Sequence, residues 1–246
     1  MKYILSAIII MVCFFGQRSI SQPTGTVIFY GGYSAPLGDL KGEFGNTYDT
    51  WTGNGNPDTN TYFMKSGISY GIYVKFPVKR KSPLQVTGGI GFNVFSNSQV
   101  YNDNTGSADI SLTQSHLAIV LGSEYNFATA KSKINPFIGA EAMVNVIGGK
   151  LTIIFPTETK DFTMNSTIRL GLQLGAGVDF VVHHNIGLVL GAKYAFANLV
   201  GKSYQEDFGT KYNLGDAAHD YNGSSYPSKN IQYLHLYGGM AFYFGR

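Results

Sequence analysis

Residues 166–182, STIRLGLQLGAGVDFVV, decide the fold. Ile168, Leu170, Leu172, Leu174, Ala176, Val178 and Phe180 fall on one parity. Thr167, Arg169, Gly171, Gln173, Gly175, Gly177 and Asp179 fall on the other. A period of two held over this length is a strand with two unlike faces. On a helix the same spacing would scatter the apolar residues around the whole circumference.

The alternation recurs on both sides of this stretch. Ile68, Tyr70, Ile72, Val74 and Phe76 alternate with Ser69, Gly71, Tyr73 and Lys75. Val86, Ile90, Phe92 and Val94 alternate with Gln85, Thr87, Gly89, Gly91 and Asn93. Leu117, Ile119, Leu121, Tyr125 and Phe127 oppose His116, Gly122, Glu124 and Asn126. Ile138, Ala140, Ala142, Val144 and Val146 oppose Gly139, Glu141 and Asn145. Ile186, Leu188, Leu190, Ala192, Tyr194 and Phe196 oppose Gly187, Gly191 and Lys193, and a last strand sets Leu234, Leu236, Met240, Phe242 and Phe244 against Tyr233, His235, Tyr237 and Tyr243. A first strand near residues 26–34 is less clear, because Val27-Ile28-Phe29-Tyr30 has no polar parity. That predicts eight strands, each long enough for the ~9–11 residues a tilted transmembrane strand needs.

The parities differ in charge. From the second strand on, the apolar parity carries none, while the polar parity carries Lys75, Glu124, Glu141, Arg169, Asp179 and Lys193. A charge facing lipid near the bilayer midplane costs about 2–4 kcal/mol, so the polar parity is the interior. Aromatics such as Tyr70, Phe76, Tyr125 and Phe244 lie on the outward parity, where amphipathic rings suit a membrane interface. Connections alternate in length. Residues 35–61, 97–109, 155–165 and 201–229 are long and polar, and 77–83, 128–135 and 183–185 are short. Long extracellular loops and short periplasmic turns give this order in an even-stranded barrel. The expected fold is therefore all-β, an eight-stranded antiparallel up-and-down transmembrane β-barrel. Closure follows because an open edge in hydrocarbon would leave amides and carbonyls unpaired.

Residues 1–21 read as a signal peptide: Lys2, an apolar run over residues 3–15, and small residues Ser19 and Ser21 before a cut at Gln22. The barrel is then residues 22–246. Cys13, the sole cysteine, leaves with the signal, so the mature chain is expected to have no disulfide or thiolate metal site. Lys2 and Arg18 leave too, which removes any argument from charge for nucleic-acid binding. Charged residues at 13% with aromatics at 14% exclude a disordered chain. A mean hydropathy of −0.01 excludes a bundle of transmembrane helices.

Three stretches together resemble the eight-stranded outer-membrane β-barrel family, the OmpA-like and OmpX-like transmembrane domains. They are the opening Gly31-Gly32-Tyr33-Ser34-Ala35-Pro36-Leu37-Gly38-Asp39-Leu40, the glycine-rich amphipathic strands, and the final Gly239-Met240-Ala241-Phe242-Tyr243-Phe244. The resemblance covers residues 24–246 and implies a cell outer-membrane location. It also implies contact with outer-membrane lipid and lipopolysaccharide, and delivery to the barrel-assembly machinery through the C-terminal strand.

Eight strands enclose a lumen just wide enough for side chains to fill. The inward charges Lys75, Glu124, Glu141, Arg169, Asp179 and Lys193 are therefore expected to pair across it and close it. Gly171, Gly175 and Gly177 sit inside a strand with no helix following, so they relieve crowding and form no phosphate loop. Ser115 and His116 point to opposite faces and cannot act as a nucleophile–base pair. His183 and His184 lie in a short turn and are expected to be solvated. In the loops, Trp51 is a candidate ligand-binding aromatic. Glu206 and Asp207 cluster in sequence with Asp216 and Asp220 as surface carboxylates, with calcium the minor alternative. The turn Asn102-Asp103-Asn104-Thr105-Gly106 fails the EF-hand spacing. No cofactor is implied. The expected role is structural or surface-interacting, with loops binding an extracellular ligand. A narrow pore for small solutes or ions is the alternative, and a lipid A-modifying enzyme is a third reading.

Overall fold

The computed structural model describes residues 23–42, 61–79, 82–103, 106–128, 132–205, 211–221 and 224–245. The long strands are β1 (Gly25–Leu37), β2 (Ser66–Pro77), β3 (Leu84–Asp103), β4 (Gly106–Asn126), β5 (Ile134–Ile154), β6 (Thr159–Val181) and β7 (Ile186–Val200). Three short ones, β8 (Lys211–Tyr212), β9 (His219–Tyr221) and β10 (Ser224–Tyr226), precede β11 (Gln232–Phe244). Each strand from β1 to β7 pairs antiparallel with the next, β7 pairs with β11, and β11 returns to β1. The ring therefore closes with eight strands. The closing seam is continuous from Gly25↔Phe244 to Leu37↔Gln232. No described helix is long and apolar enough to cross a membrane.

The exterior carries the apolar parity. Ile68, Ile90, Leu121, Ile138, Ile168, Leu174, Leu190 and Met240 are all exposed. Edge-on or tilted aromatic pairs flank them, with ring centroids 5.9 Å apart for Phe29–Phe242, 5.6 Å for Tyr70–Phe92 and 5.3 Å for Tyr125–Phe127. The first strand obeys the same rule despite its unbroken apolar run. Ile28 is buried and Phe29 is 50% exposed. Ile28 packs into the interior cluster beside Tyr30, so both faces of this strand meet apolar surroundings.

The interior is aromatic as well as charged, and glycines make room for the rings. A Cβ on Gly177 would lie 2.6 Å from the Phe137 ring, and one on Gly191 would lie 2.6 Å from that of Tyr237. Gly175, Gly177 and Gly191 thus act as spacers, which agrees with the crowding argument for the β6 glycines.

The long connections depart from the sequence reading. Much of residues 97–109 is paired strand, down to Asp103↔Gly106. Residues 155–165 reduce to a tight turn closed by the Phe155 amide donating to the Glu158 carbonyl, after which β6 begins. Strands β3 to β6 run 20 to 23 residues, well past the ~9–11 a membrane requires. Beyond the apolar band, backbone pairing continues without a two-faced side-chain pattern. A β-bulge marks the change. Ile147 pairs with Thr167, but Gly149 pairs with Met164, so β6 spends one residue more than β5. One extra residue flips every following side chain on that strand to the other face. Below the bulge Arg169 is buried; above it Met164 is.

Candidate functional site

Five of the six charged residues predicted to face inward meet in two groups. Near the short-turn end, Lys75 from β2 donates to Glu124 of β4 at 2.9 Å and to Asp179 of β6 at 3.2 Å. Its ammonium also stands 4.0 Å above the Phe137 ring centroid. Farther up, Lys193 of β7 donates to Glu141 of β5 at 2.9 Å and lies 3.9 Å above the Tyr73 ring. Glu141 also accepts from Thr87 at 3.1 Å and from the Gln173 amide. All five side chains are buried or nearly so.

Arg169 behaves differently. It reaches no strand carboxylate but Asp216, in the segment between β8 and β9. Arg169 Nε and Nη2 each donate at 2.8 Å, a two-pronged pair. The Asn198 amide and the Ser203 backbone N–H donate to the same carboxylate at 2.9 Å. Asp216 is 0% exposed, so it leaves the surface cluster in which its sequence neighbours placed it. Burial pushes its pKa up, but the hydrogen bonds from Arg169, Asn198 and Ser203 outweigh that and hold it below the ordinary carboxylate value. Sequence reasoning missed this partner because parity governs strands and Asp216 lies in a loop.

Connecting segments pack onto this end of the barrel. Leu40, Met64, Leu214 and Ile231, all from connecting segments, belong to one buried cluster with Phe95 and Tyr233 of the barrel. Backbone bonds tie the stems together: Tyr62 N–H to Asp39 O at 2.7 Å, Met64 N–H to Leu40 O at 2.9 Å, and Ala197 N–H to Ile231 O at 2.8 Å. Side chains add Asn230 N–H to Asp39 Oδ2 and Ile231 N–H to Asn198 Oδ1, each 2.7 Å. From Asp179 to Arg169, ten residues along β6, the charged tiers span about 33 Å of strand. Among the described residues, voids between them include ones of about 10 and 20 Å³.

The remaining sequence candidates have plain positions. His116 is buried between Phe95 and Tyr233, with ring centroids 5.0 and 6.0 Å away. Ser115, adjacent to it, directs its hydroxyl to the Gly148 carbonyl at 3.5 Å. The exposed His183 and His184 contact each other. Among the described residues, no three His, Cys, Asp or Glu side chains converge as metal ligands. Trp51, Glu206 and Asp207 lie outside the described residues, as does the predicted signal peptide, residues 1–21.

A closed eight-stranded ring with an uncharged apolar belt around it and buried interior charges is an outer-membrane β-barrel, and the protein resides in the cell outer membrane. The model of the Opacity family porin proteins matches residues 85–215, just over half of the 246, and the chain belongs to that family. None of the curated protein sequences matches it. Similar solved structures include Neisserial surface protein A, at 15% identity and a TM-score of 0.44 over 90% of this chain and 97% of that one. Another is the Yersinia pestis attachment invasion locus protein Ail in complex with the heparin analogue sucrose octasulfate, at 12% identity and a TM-score of 0.40 over 89% and 97%. The N-terminal β-barrel domain of Pseudomonas aeruginosa OprF matches at 10% identity and a TM-score of 0.37 over 90% and 98%.

Proposed function

We propose that this outer-membrane barrel is a closed anchor for a structured loop end, and that its role is surface interaction, not conduction or catalysis. The observation that carries this reading is the succession of buried ion pairs spanning the lumen. Lys75–Asp179 joins β2 to β6 on opposite sides of the ring, Lys193 pairs with Glu141 two strands away while lying over Tyr73 of β2, and Arg169–Asp216 ties β6 to the loop cap. An ion entering this lumen would have to break a buried pair, and breaking one by loss of a partner costs about 3–5 kcal/mol. The voids between tiers, about 10 and 20 Å³, are each the size of a single water, too small for a hydrated ion. Ser115 and His116 on opposite faces offer no nucleophile–base pair. In this reading the apolar belt contacts outer-membrane lipid and lipopolysaccharide, β11 is the segment offered to the assembly machinery, and the loop end meets the extracellular ligand.

Single-channel recording of residues 22–246 refolded into a planar bilayer tests it, with heat-dependent gel mobility confirming the folded barrel. The expected result is insertion without regular conductance steps. Stable, uniform steps would replace the closed anchor with a narrow pore.

A further inference from the structure

Above the bulge, five segments that are separate in sequence line a cleft of about 340 Å³. Its walls are Leu112 of β4, Leu151 of β5, Phe162 and Met164 of β6, and Leu214, with the stem of the first loop at Tyr62–Met64 on the other side. This is the volume of a site for a small ligand, and the lining is mostly apolar, as such sites are. One polar group breaks the pattern. Gln114 lines the cleft, is 2% exposed, and has no hydrogen-bond partner at either Nε2 or Oε1. A buried amide left unmatched costs about 1–3 kcal/mol per group, so its retention here calls for a reason. Directly across the ladder from Gln114 stands Gly149. A Cβ there would first meet the Thr113 carbonyl at 2.7 Å and then Met164 Cε at 3.3 Å and Tyr212 Oη at 3.4 Å, so only glycine fits beside these lining residues. Phe63, also in the wall, holds a left-handed φ of 56°, and its carbonyl accepts from Asn97 at 2.7 Å. A bulky residue keeps that conformation only where its surroundings impose it, and such strain gathers at binding sites.

We propose that this cleft binds a small, uncharged apolar molecule bearing one primary carboxamide, with the apolar body against Leu112, Leu151 and Phe162. Gln114 offers one donor and one acceptor side by side. A primary carboxamide, whose N–H and C=O lie on the same side, presents the complementary acceptor and donor, whereas an ester or hydrocarbon of the same shape leaves the Gln114 carbonyl unmatched. The inference rests on the reading of the loop end as the binding end, and it does not need the lumen to be closed.

The test uses residues 22–246 in phospholipid nanodiscs, titrated with the primary amide 6-butyl-2-naphthamide and with its methyl ester counterpart, methyl 6-butyl-2-naphthoate, against empty nanodiscs. Naphthyl fluorescence reports saturable binding. The wild type is expected to bind the amide roughly tenfold tighter than the ester, one hydrogen bond's worth of discrimination. Gln114→Leu is expected to bind both equally. Phe162→Ala, on the hairpin above the membrane, should weaken both by a similar factor and leave the amide preference intact. Heat-dependent gel mobility establishes that each variant is folded. Absence of saturable binding to the wild type, which includes the case of a cleft filled by the chain itself, would overturn the inference. Equal affinity of the wild type for both probes, or a preference that survives Gln114→Leu, would do the same. Conductance of the same preparation is read separately: regular steps defeat the closed lumen without touching the cleft, and an absent amide preference defeats the cleft without opening the lumen.

Discussion

Glu141 takes hydrogen bonds from three elements: Thr87 on β3, Gln173 on β6 and Lys193 on β7. Removing its carboxylate leaves the Lys193 ammonium buried with the Tyr73 ring and little else. Glu141→Ala is therefore expected to cost about 3–5 kcal/mol, read as a lower temperature for the gel-mobility change in detergent. Arg169→Ala strands Asp216 in the same way. Unchanged melting in both variants would show that water screens these groups and that the lumen is wet. The paired replacement Glu141→Leu with Lys193→Met removes both charges together and is expected to recover most of the loss, since apolar isosteres often match a buried pair. At this scale the sequence was readable wherever a residue sat on a strand within the apolar belt. The parity of Lys75, Glu124, Glu141, Arg169, Asp179 and Lys193 followed from their apolar neighbours. Asp216 was unreadable because its partner lies 47 positions earlier on a different kind of element.

The strand β6 contains both a legible half and an illegible half. From Ser166 onward the lipid imposes a contrast between faces, and the alternation records it. Before the bulge no lipid faces the hairpin, so Thr159, Lys160, Asp161 and Thr163 can occur without regard to a hydrocarbon face, and the segment reads as a loop. The β1 strand is ambiguous for the opposite reason. Ile28 finds an apolar interior and Phe29 a lipid exterior, so neither parity needs to be polar. The bulge makes a sharp prediction about the hairpin. Met164 is buried against the inner cluster, while Thr163 next to it is exposed. Met164→Lys should therefore loosen the loop end, seen as faster tryptic cleavage between β5 and β6, and Thr163→Lys should leave cleavage of the folded hairpin near the wild-type rate. Equal effects of the two would mean that the face does not flip at the bulge.

At the scale of the whole molecule, the barrel and its loop cap are held by different means. The barrel is a closed ring of backbone ladders, whose hydrogen bonds have no alternative partner in hydrocarbon. The cap is tied by a few backbone bonds, a small buried cluster and Asp216, which accepts from the Arg169 and Asn198 side chains and the Ser203 backbone N–H at once. The two should therefore come apart under acid. Burial raises the Asp216 pKa and the hydrogen bonds lower it by more, so the folded value lies below the ordinary carboxylate value. A group with a depressed folded pKa contributes stability that is complete above its unfolded value, near 3.9, and is lost as pH falls through the folded value. The cap is thus expected to stay docked at neutral and mildly acidic pH and to release only below about pH 4. Pepsin digestion across pH 4.5 to 2 reads this, with nicks in residues 201–231 appearing at the acid end while the barrel keeps its folded gel mobility. Asp216→Asn removes the titrating group, so its nicking should start high and lose its pH dependence apart from that of the protease itself. A wild-type cap nicked equally at both ends of the range would show that other contacts, such as Asn230 on Asp39 and the buried Ile231, hold the loops without Asp216.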